Sequence, residues 1–135
     1  MIECLEEQKT LKILAIDDQA ADRKFIHNRL TKSFEGAEIS IGDRPDVLFN
    51  QLTFEKPQIV IVDWYYQGYD CTCLLPRLAK YKKGLVCFYS AEDSSKIRKK
   101  IKECIGDLPA NFKVFNKLNY SEMENEIIDY LADYF

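Results

Sequence analysis

Acidic residues stand directly after two apolar runs of the sequence. Residues 59–62 (IVIV) are followed by Asp63, and residues 12–16 (KILAI) are followed by Asp17 and Asp18. An apolar run without polar alternation predicts a strand that is buried on both faces, as at the centre of a parallel sheet. Because ligands of such sheets bind beyond the carboxyl ends of the strands, Asp63 is the candidate reacting group.

Two later segments also place a polar group at the end of a predicted strand. Residues 84–90 end on the hydroxyl of Ser90, and residues 112–117 end on the amine of Lys117. If the strands are parallel, these ends and the acids meet at the same edge of the sheet. Carboxylates that pack together raise one another's pKa unless a cation neutralises them, and an all-oxygen site favours Mg²⁺.

The chemistry that this set of groups permits is narrow. A carboxylate can accept a phosphoryl group to form an aspartyl phosphate. Negative charge spreads over the phosphoryl oxygens during the transfer, and an ammonium, a hydroxyl and a metal ion are suitable groups to stabilise it. The residues therefore indicate a phosphoryl-accepting site around Asp63.

Predicted helices separate the predicted strands. The alternation of residues 37–41 indicates a strand near the edge of the sheet. Apolar residues at helical spacing predict helices over residues 21–34, 43–56, 74–81, 94–104 and 121–134. Five alternations of strand and helix are typical of an α/β fold, with a doubly wound parallel sheet of five strands between two layers of helices.

Local signals refine three of the helix starts. Asp43 and Pro45 predict that the second helix begins with a capping acid and an early proline. Ser121 and Glu124 form a capping box that opens the last helix. Pro76 lacks a backbone N–H and is tolerated only in a first turn, so we expect the third helix to begin late or to bend.

The size and charge of the chain limit the classes of function. Its 135 residues suit one domain, and we expect a polar N-terminal extension over residues 1–10 before a domain over residues 11–135. The net charge of −3 argues against nucleic acid as the main partner. No apolar run approaches the ~20 residues of a membrane span, and the N-terminus lacks the basic start of a signal peptide, so we expect no membrane association and a cytoplasmic protein.

Other metal and catalytic chemistries have weaker support in the sequence. The five cysteines are an odd number and indicate reduced thiols. His27 is the only histidine and is distant from Cys71 and Cys73, which argues against a zinc site and against a nucleophile–histidine dyad. The glycines are too scattered for a nucleotide-binding loop. A phosphatase with an aspartyl nucleophile requires a second acid two residues after the first, and Tyr65 stands at that position, which argues against this class of enzyme.

Several of these residues together resemble the receiver domain of two-component response regulators. The resemblance covers residues 11–135 and is carried by Asp17-Asp18, Asp63-Trp64, Ser90-Ala91-Glu92, Lys117 and the segment DCTCLL at 70–75. It implies a flavodoxin-like fold of the receiver type, with three αβα layers and the strand order 2-1-3-4-5. It also implies a stand-alone signalling domain, similar to the single-domain receivers of chemotaxis, and no enzyme activity beyond self-catalysed phosphorylation and dephosphorylation.

The resemblance implies a role for each acid at the predicted site. Asp63 is expected to take a phosphoryl group from a phosphohistidine on a sensor histidine kinase or a histidine phosphotransfer protein, or from a small phosphodonor. Asp17 and Asp18 are expected to hold Mg²⁺ together with Asp63 and the backbone carbonyl of Tyr65.

The same resemblance implies roles for the groups around the phosphoryl site. Ser90 is expected to bond a phosphoryl oxygen and Lys117 to pair with the phosphoryl group. Tyr65 and Glu92 are expected to flank the acyl phosphate and to influence how quickly water reaches it. The output is expected to be a separate protein that binds the face formed by the fourth helix, the fifth strand and the fifth helix.

The sequence departs from the pattern of the family at several places. Leu118 replaces the proline that usually follows the final lysine, and Val114 replaces an aromatic residue three positions before that lysine. Phe115 is adjacent, but strand alternation predicts that it points to the opposite face. Cys71 replaces a usual glycine after a tyrosine-rich loop, and an insertion is expected over residues 105–112.

These departures keep a second function open, which is a receiver-like module that binds a protein mainly independently of phosphorylation. The predicted fourth helix also carries a dense basic face, whose members are Lys96, Arg98, Lys99, Lys100 and Lys102. This face is either a solvated surface or a docking site for an acidic partner.

Overall fold

The computed structural model describes residues 10–66 and 69–134. Except for Thr10, the predicted N-terminal extension lies outside these residues, so the division of the chain at this point stays a prediction. The main sheet has five strands, with the bounds Lys12–Ile16 (β1), Glu38–Gly42 (β2), Ile59–Val62 (β3), Leu85–Ser90 (β4) and Phe112–Asn116 (β5). All neighbouring strands are parallel in the order β2-β1-β3-β4-β5, which confirms the predicted sheet.

The burial of the strands explains why β3 lies at the centre of the sheet. Every residue of β3 and β4 is buried, as the continuous apolar runs predict, whereas β2 at the edge is exposed or half-buried. The register aligns Ile16 with Val62 and Val62 with Phe88. The carboxyl ends of β1 and β3 are therefore level, and β4 continues two residues further to Ser90. The polar residues that follow or end these strands lie at one edge of the sheet.

Five α-helices among the described residues form the two outer layers, and their bounds are Ala20–Ser33 (α1), Pro45–Phe54 (α2), Leu75–Ala79 (α3), Ser94–Ile105 (α4) and Tyr120–Tyr134 (α5). Buried residues Leu48, Leu75 and Ile97 pack α2, α3 and α4 against one face of the sheet. Ile26 and Ile127 pack α1 and α5 against the other face. The three-layer architecture is therefore confirmed.

Two of the predicted helix caps are wrong. Arg44, not Asp43, is the N-cap residue of α2, and its side chain makes no capping hydrogen bond. The helix still begins at Pro45, because a missing N–H costs nothing at the first helical position. Ser121 lies inside α5 and cannot cap it, and the carboxylate of Glu124 instead accepts a hydrogen bond from the hydroxyl of Ser33 in α1.

The third helix begins late, as Pro76 predicts. A 3₁₀ turn over Cys71–Leu74 comes first, and its N-cap Asp70 accepts hydrogen bonds from the backbone N–H and the hydroxyl of Thr72. The five-residue helix α3 follows, with Pro76 in its first turn.

A short hairpin, which the sequence did not predict, occupies the loop after Asp63. Its two strands, Tyr65–Tyr66 and Tyr69–Asp70, pair antiparallel. The hydroxyl of Tyr66 donates to the carbonyl of Ile16 at 3.0 Å, and the buried thiol of Cys71 donates to the carbonyl of Asp63 at 2.9 Å. The hairpin is therefore bonded to the ends of both β1 and β3, and Cys71 has a partner that a glycine would lack.

The predicted insertion connects α4 to β5 and is anchored to the domain. Gly106 ends α4 with a positive φ of 87°. The side chain of Asn111 donates to the carbonyls of Tyr81 and Gly84, and the backbone carbonyl of Asn111 accepts from the backbone N–H of Val86. The insertion is thus bonded to β4 and to the segment before it.

Two further features concern the described residues as a whole. The helices among residues 10–66 and 69–134 include none with the length and apolar character needed to cross a membrane. The four cysteines in these ranges, Cys71, Cys73, Cys87 and Cys104, are free thiols.

Candidate functional site

Three carboxylates lie together at the carboxyl edge of the sheet. Asp17 and Asp63 are 1% and 6% exposed, and Asp18 is half-buried. Each offers a carboxylate oxygen, and these oxygens all lie within 4.8 Å of one another. Parallel pairing of β1 with β3 brings the acids together, because each stands directly after its strand. The cluster could hold a cation with oxygen ligands, of which Mg²⁺ is the usual example.

The carboxylate of Asp63 is held in a defined orientation. Its backbone N–H donates to the carbonyl of Ile16 at 3.0 Å, which extends the ladder between β1 and β3 by one residue. Its Oδ1 accepts from the backbone N–H of Trp64 at 2.8 Å, and its Oδ2 lies 3.4 Å from Nζ of Lys117. Burial and the negative charge of Asp17 raise the pKa of Asp63 to about 6, against the opposing effect of Lys117.

Lys117 connects the acids of the site. Its ammonium lies 2.8 Å from Oδ2 of Asp17, 2.8 Å from Oδ2 of Asp22 and 3.4 Å from Oδ2 of Asp63. Burial by itself lowers the pKa of Lys117, but the hydrogen bonds to Asp17 and Asp22 and the surrounding negative charge raise it above its usual value. Lys117 is therefore charged at neutral pH.

The turn that positions Lys117 forms with Leu118 at the place of the usual proline. The backbone N–H of Lys117 donates to the carbonyl of Ser90 at 2.8 Å, which continues the pairing of β5 with β4. The side-chain oxygen of Asn116 accepts from the N–H of Leu118 at 2.9 Å and closes the turn. All peptide bonds of the described residues are trans. Leu118 itself is 91% exposed.

Asp22 is a site residue that the sequence analysis missed. It lies in the first turn of α1, where an acid usually complements the helix dipole and needs no further role. The available signal was the spacing of Asp22 from Asp18. A helix that starts soon after Asp18 turns the residue four positions later back towards the ends of the strands. Arg23 lies beside it and donates to the backbone carbonyl of Asp17 at 2.8 Å.

Ser90, Glu92 and Tyr65 line the open side of the site. The hydroxyl of Ser90, which is 1% exposed, accepts from the backbone N–H of Glu92 at 3.2 Å. The hydroxyl of Tyr65 donates to the carboxylate of Glu92 at 3.0 Å. These three residues share with Asp63 and Lys117 an open cleft of about 490 Å³. The structure thus brings together all the side chains that the sequence singled out, while their roles and the role of the Tyr65 carbonyl stay predictions.

Val114, at the position where the family usually has an aromatic residue, and the adjacent Phe115 lie on opposite faces of the sheet, as alternation predicts. Val114 packs with Phe88 in the core below α4, and Phe115 packs with Tyr89 in the core below α5. The hydroxyl of Tyr89 donates to the backbone carbonyl of Lys117 at 3.1 Å.

The chain matches no protein-family model and no curated protein. It does match solved structures. The signal receiver domain of a DNA-binding response regulator from Colwellia psychrerythraea 34H aligns with a TM-score of 0.75 at 21% identity, over 90% of this chain and 98% of that one. The receiver domain of the Francisella response regulator 1452 aligns with a TM-score of 0.71 at 17% identity, over 93% and 100% of the two chains.

A third solved structure agrees with these two. The two-component response regulator of the LuxR family from Aurantimonas sp. SI85-9A1 aligns with a TM-score of 0.70 at 16% identity, over 93% of this chain and 87% of that one. Likeness at these identities establishes the fold. This chain has the fold of the signal receiver domains of response regulators.

Proposed function

We propose that this chain, over residues 11–135, is a receiver that accepts a phosphoryl group on Asp63 with Mg²⁺ and signals to a partner protein. The observation that carries the proposal is the convergence of Asp63, the Asp17–Asp18 pair and Lys117 at the carboxyl edge of a parallel sheet. Structural neighbours of the same fold are named as signal receiver domains, which supports the same class of function.

The donor is a phosphohistidine on a sensor histidine kinase or a histidine phosphotransfer protein, or a small phosphodonor such as acetyl phosphate. A carboxylate oxygen of Asp63 attacks the phosphorus. With a phosphohistidine the nitrogen–phosphorus bond breaks and its electron pair returns to the imidazole, whereas with acetyl phosphate the oxygen–phosphorus bond breaks and acetate leaves. With a pKa of about 6, Asp63 is mostly ionised at pH 7. The nucleophile therefore needs no general base.

The fit of Mg²⁺ follows from the donor set. Asp17, Asp18 and Asp63 offer only oxygen atoms, at separations that one ion can bridge, and we propose the backbone carbonyl of Tyr65 as a further ligand. A bound Mg²⁺ supplies positive charge that offsets the repulsion between these acids and the phosphoryl oxygens.

The neighbouring side chains stabilise the transferred group. The hydroxyl of Ser90 donates to a phosphoryl oxygen, and the ammonium of Lys117 pairs with another. The ammonium is already held 3.4 Å from Asp63, so little reorganisation is needed. Tyr65 and Glu92 cover the open side and slow the access of water to the acyl phosphate.

We propose that the site has no enzymatic role beyond its own phosphorylation and dephosphorylation, and that its output is a change in the binding of a partner. We propose that a downstream protein reads the state of Asp63 through the face of α4, β5 and α5. Because the proposed donor is a two-component kinase, we place the protein in the cytoplasm.

The direct test is the mass of the intact protein after incubation with Mg²⁺ and acetyl phosphate. We expect an increase of one phosphoryl group in the wild type and none in Asp63→Asn. Asp129 is an exposed acid on α5, so the Asp129→Asn variant serves as the matched control and should be phosphorylated like the wild type. Equal phosphorylation of Asp63→Asn and the wild type would contradict the proposal.

One observation favours the second candidate, a module that binds its partner without phosphorylation. Val114 offers no ring that could reorient, and Leu118 and Ile128 are 91% and 50% exposed, as apolar residues of a permanent docking surface would be. This candidate predicts that a partner binds the wild type and Asp63→Asn equally, with or without Mg²⁺ and phosphodonor.

A further inference from the structure

A second cleft lies at the edge of the sheet opposite to Asp63. It is formed by the end of α2 and the segment that joins α3 to β4, and its volume is about 490 Å³. The cations that line it are Lys56, Arg77, Lys80, Lys82 and Lys83, and no acid among the described residues lines it. Because Lys56 precedes β3 and Lys83 precedes β4, the cleft lies at the amino ends of these strands.

The floor of this cationic cleft is apolar. Leu52 is buried and Phe49 is half-buried. The guanidinium of Arg77 lies 3.7 Å from the centroid of the Phe49 ring, which keeps its charge over the floor. Tyr81 also lines the cleft, and its hydroxyl donates to the carbonyl of Pro57. A cleft with this lining suits a segment that combines acidic and aliphatic side chains.

Three of the five cations that line the cleft have no acidic partner among the described residues. Lys56, Arg77 and Lys80 are exposed, and residues 10–66 and 69–134 provide no carboxylate within 4.0 Å of them. Lys82 also borders a neighbouring cleft that contains three acids of α5, Glu126, Asp129 and Asp133. Like charges at close range repel each other, so an acidic ligand would relieve unfavourable electrostatic energy here.

The chain enters the domain beside this cleft. The carbonyl of Thr10 accepts from the side chain of Gln58 at 3.4 Å, and the N–H of Lys12 donates to the same side chain at 2.7 Å. Gln58 stands two residues after Lys56 and directly after Pro57, which bonds to Tyr81. Thr10 therefore lies close to the rim.

Residues 1–9 have the composition that the cleft requires. Their sequence, MIECLEEQK, contains the three acids Glu3, Glu6 and Glu7 and the aliphatic residues Ile2 and Leu5. Nine residues span up to ~30 Å when extended, so the segment can cross a cleft next to its attachment point. A short tether also gives a high effective concentration, which lets weak ion pairs suffice.

We propose that residues 1–9 dock in this cleft as an intramolecular ligand, with their glutamates on the cationic rim and Ile2 and Leu5 on the apolar floor. The inference is independent of the proposed phosphorylation at the opposite edge of the sheet.

The basic face of α4 is the competing surface for an acidic segment, and it fits less well. Its groove is lined by Ser95, Arg98, Lys99, Lys102 and Glu103. This lining has no apolar side chain and carries an acid of its own. Glutamates could pair there, but Ile2 and Leu5 would stay in water.

A spin label in the segment tests the proposal in the full-length chain. Cys4 carries the nitroxide, and the exposed thiols of Cys73 and Cys104 are replaced by serine, while Cys71 and Cys87 are buried and stay unlabelled. The measurement is paramagnetic broadening of ¹⁵N-labelled backbone amides. We expect the amides of the cleft to lose most of their intensity and those of α4 to retain theirs.

Matched variants remove two charges from each basic surface. Lys56→Gln with Lys80→Gln should abolish the broadening at the cleft, and Lys99→Gln with Lys100→Gln should leave it intact. The proposal would be overturned if broadening were absent, if it were strongest on α4, or if it were unchanged in the variant that lacks the two cleft lysines. A mixture of nitroxide-labelled ¹⁴N chains with unlabelled ¹⁵N chains distinguishes docking between two copies from docking within one chain. Broadening of the ¹⁵N chains in this mixture would also overturn the proposal.

Discussion

The ammonium of Lys117 lies 2.8 Å from the carboxylate of Asp22 and 3.4 Å from that of Asp63. Asp22 projects from the first turn of α1 and its side chain is 41% exposed, whereas the side chain of Asp63 is 7% exposed. Lys117 is therefore shared between an acid at the rim and the acid proposed to react. A phosphoryl group on Asp63 would compete with Asp22 for this ammonium.

Replacement of Asp22 by asparagine should speed the phosphorylation of Asp63. A half-exposed ion pair contributes about 0.5–1 kcal/mol, so release of Lys117 corresponds to an increase of about two- to fivefold in rate. The measurement is the initial rate of the mass increase with acetyl phosphate and Mg²⁺. Asp129→Asn changes the net charge equally at a distant exposed position and should leave the rate unchanged. An unchanged or lower rate in Asp22→Asn would show that Asp22 does not restrain Lys117.

The pH dependence of stability should report the raised pKa of Asp63. Its pKa in the folded chain is about 6 and its ordinary value is 3.8, so folding favours the protonated form. The stability that this group contributes is therefore present below about pH 4 and is lost as the pH rises to about 6. At about 1.4 kcal/mol for each pKa unit, the loss is on the order of 2–3 kcal/mol.

Urea unfolding without divalent ions, compared between the wild type and Asp63→Asn, measures this effect. Asparagine does not titrate, so the wild type should lose stability relative to the variant between about pH 4 and pH 6 and remain level above. Saturating Mg²⁺ should reduce the difference at pH 7, because it binds the ionised acids. A difference that is constant with pH would refute the raised pKa.

Much of the fold and part of the site could be predicted from the sequence. The buried strands are continuous apolar runs, and their parallel pairing places the residues after them at one edge, so Asp17, Asp63 and Ser90 could be found from local patterns. For Asp22 the only signal is its position four residues beyond Asp18, and that spacing alone does not place its side chain in the site. Its place in the site depends on how far α1 rotates about its axis, which is set by the burial of Ile26 and Leu30 against the sheet.

The helix caps and the hairpin were harder to predict for a different reason. Several polar residues near each helix start can cap it, and tertiary contacts decide between them, as the bond between Ser33 and Glu124 shows. The hairpin after Asp63 is stabilised by contacts that are distant in the chain, above all the bond from Tyr66 to Ile16. No local pattern carries that information.

Trp64 should report binding at the site through its fluorescence. Trp64 is 2% exposed, its backbone N–H donates to Oδ1 of Asp63, and its ring packs edge-on against the ring of Phe88 with the centroids 5.8 Å apart. A change at the Asp63 carboxylate therefore alters the immediate surroundings of the only tryptophan. We expect Mg²⁺ to change the emission and a beryllofluoride mimic of the phosphoryl group to change it again. Asp63→Asn should abolish the second change, and a flat titration of the wild type would favour the docking module.

The hydrogen bond between Tyr65 and Glu92 should govern the lifetime of the phosphorylated form. The bond of 3.0 Å crosses the open side of the cleft that contains Asp63. The Tyr65→Phe variant keeps the ring but loses the hydrogen bond to Glu92, so water should reach the acyl phosphate more often. We expect a half-life several times shorter than that of the wild type, measured by the decay of the phosphorylated mass after removal of the phosphodonor.

A double-mutant cycle separates this bond from the independent effects of its two partners. Glu92→Gln weakens the acceptor and should also shorten the half-life. If the bond itself limits the access of water, the double variant should decay no faster than Tyr65→Phe alone, because the second change removes an interaction that is already lost. Additive effects would instead mean that Tyr65 acts through the bulk of its ring and Glu92 through its charge. Both side chains are at the surface, so the variants should fold like the wild type, and the decay rates remain directly comparable.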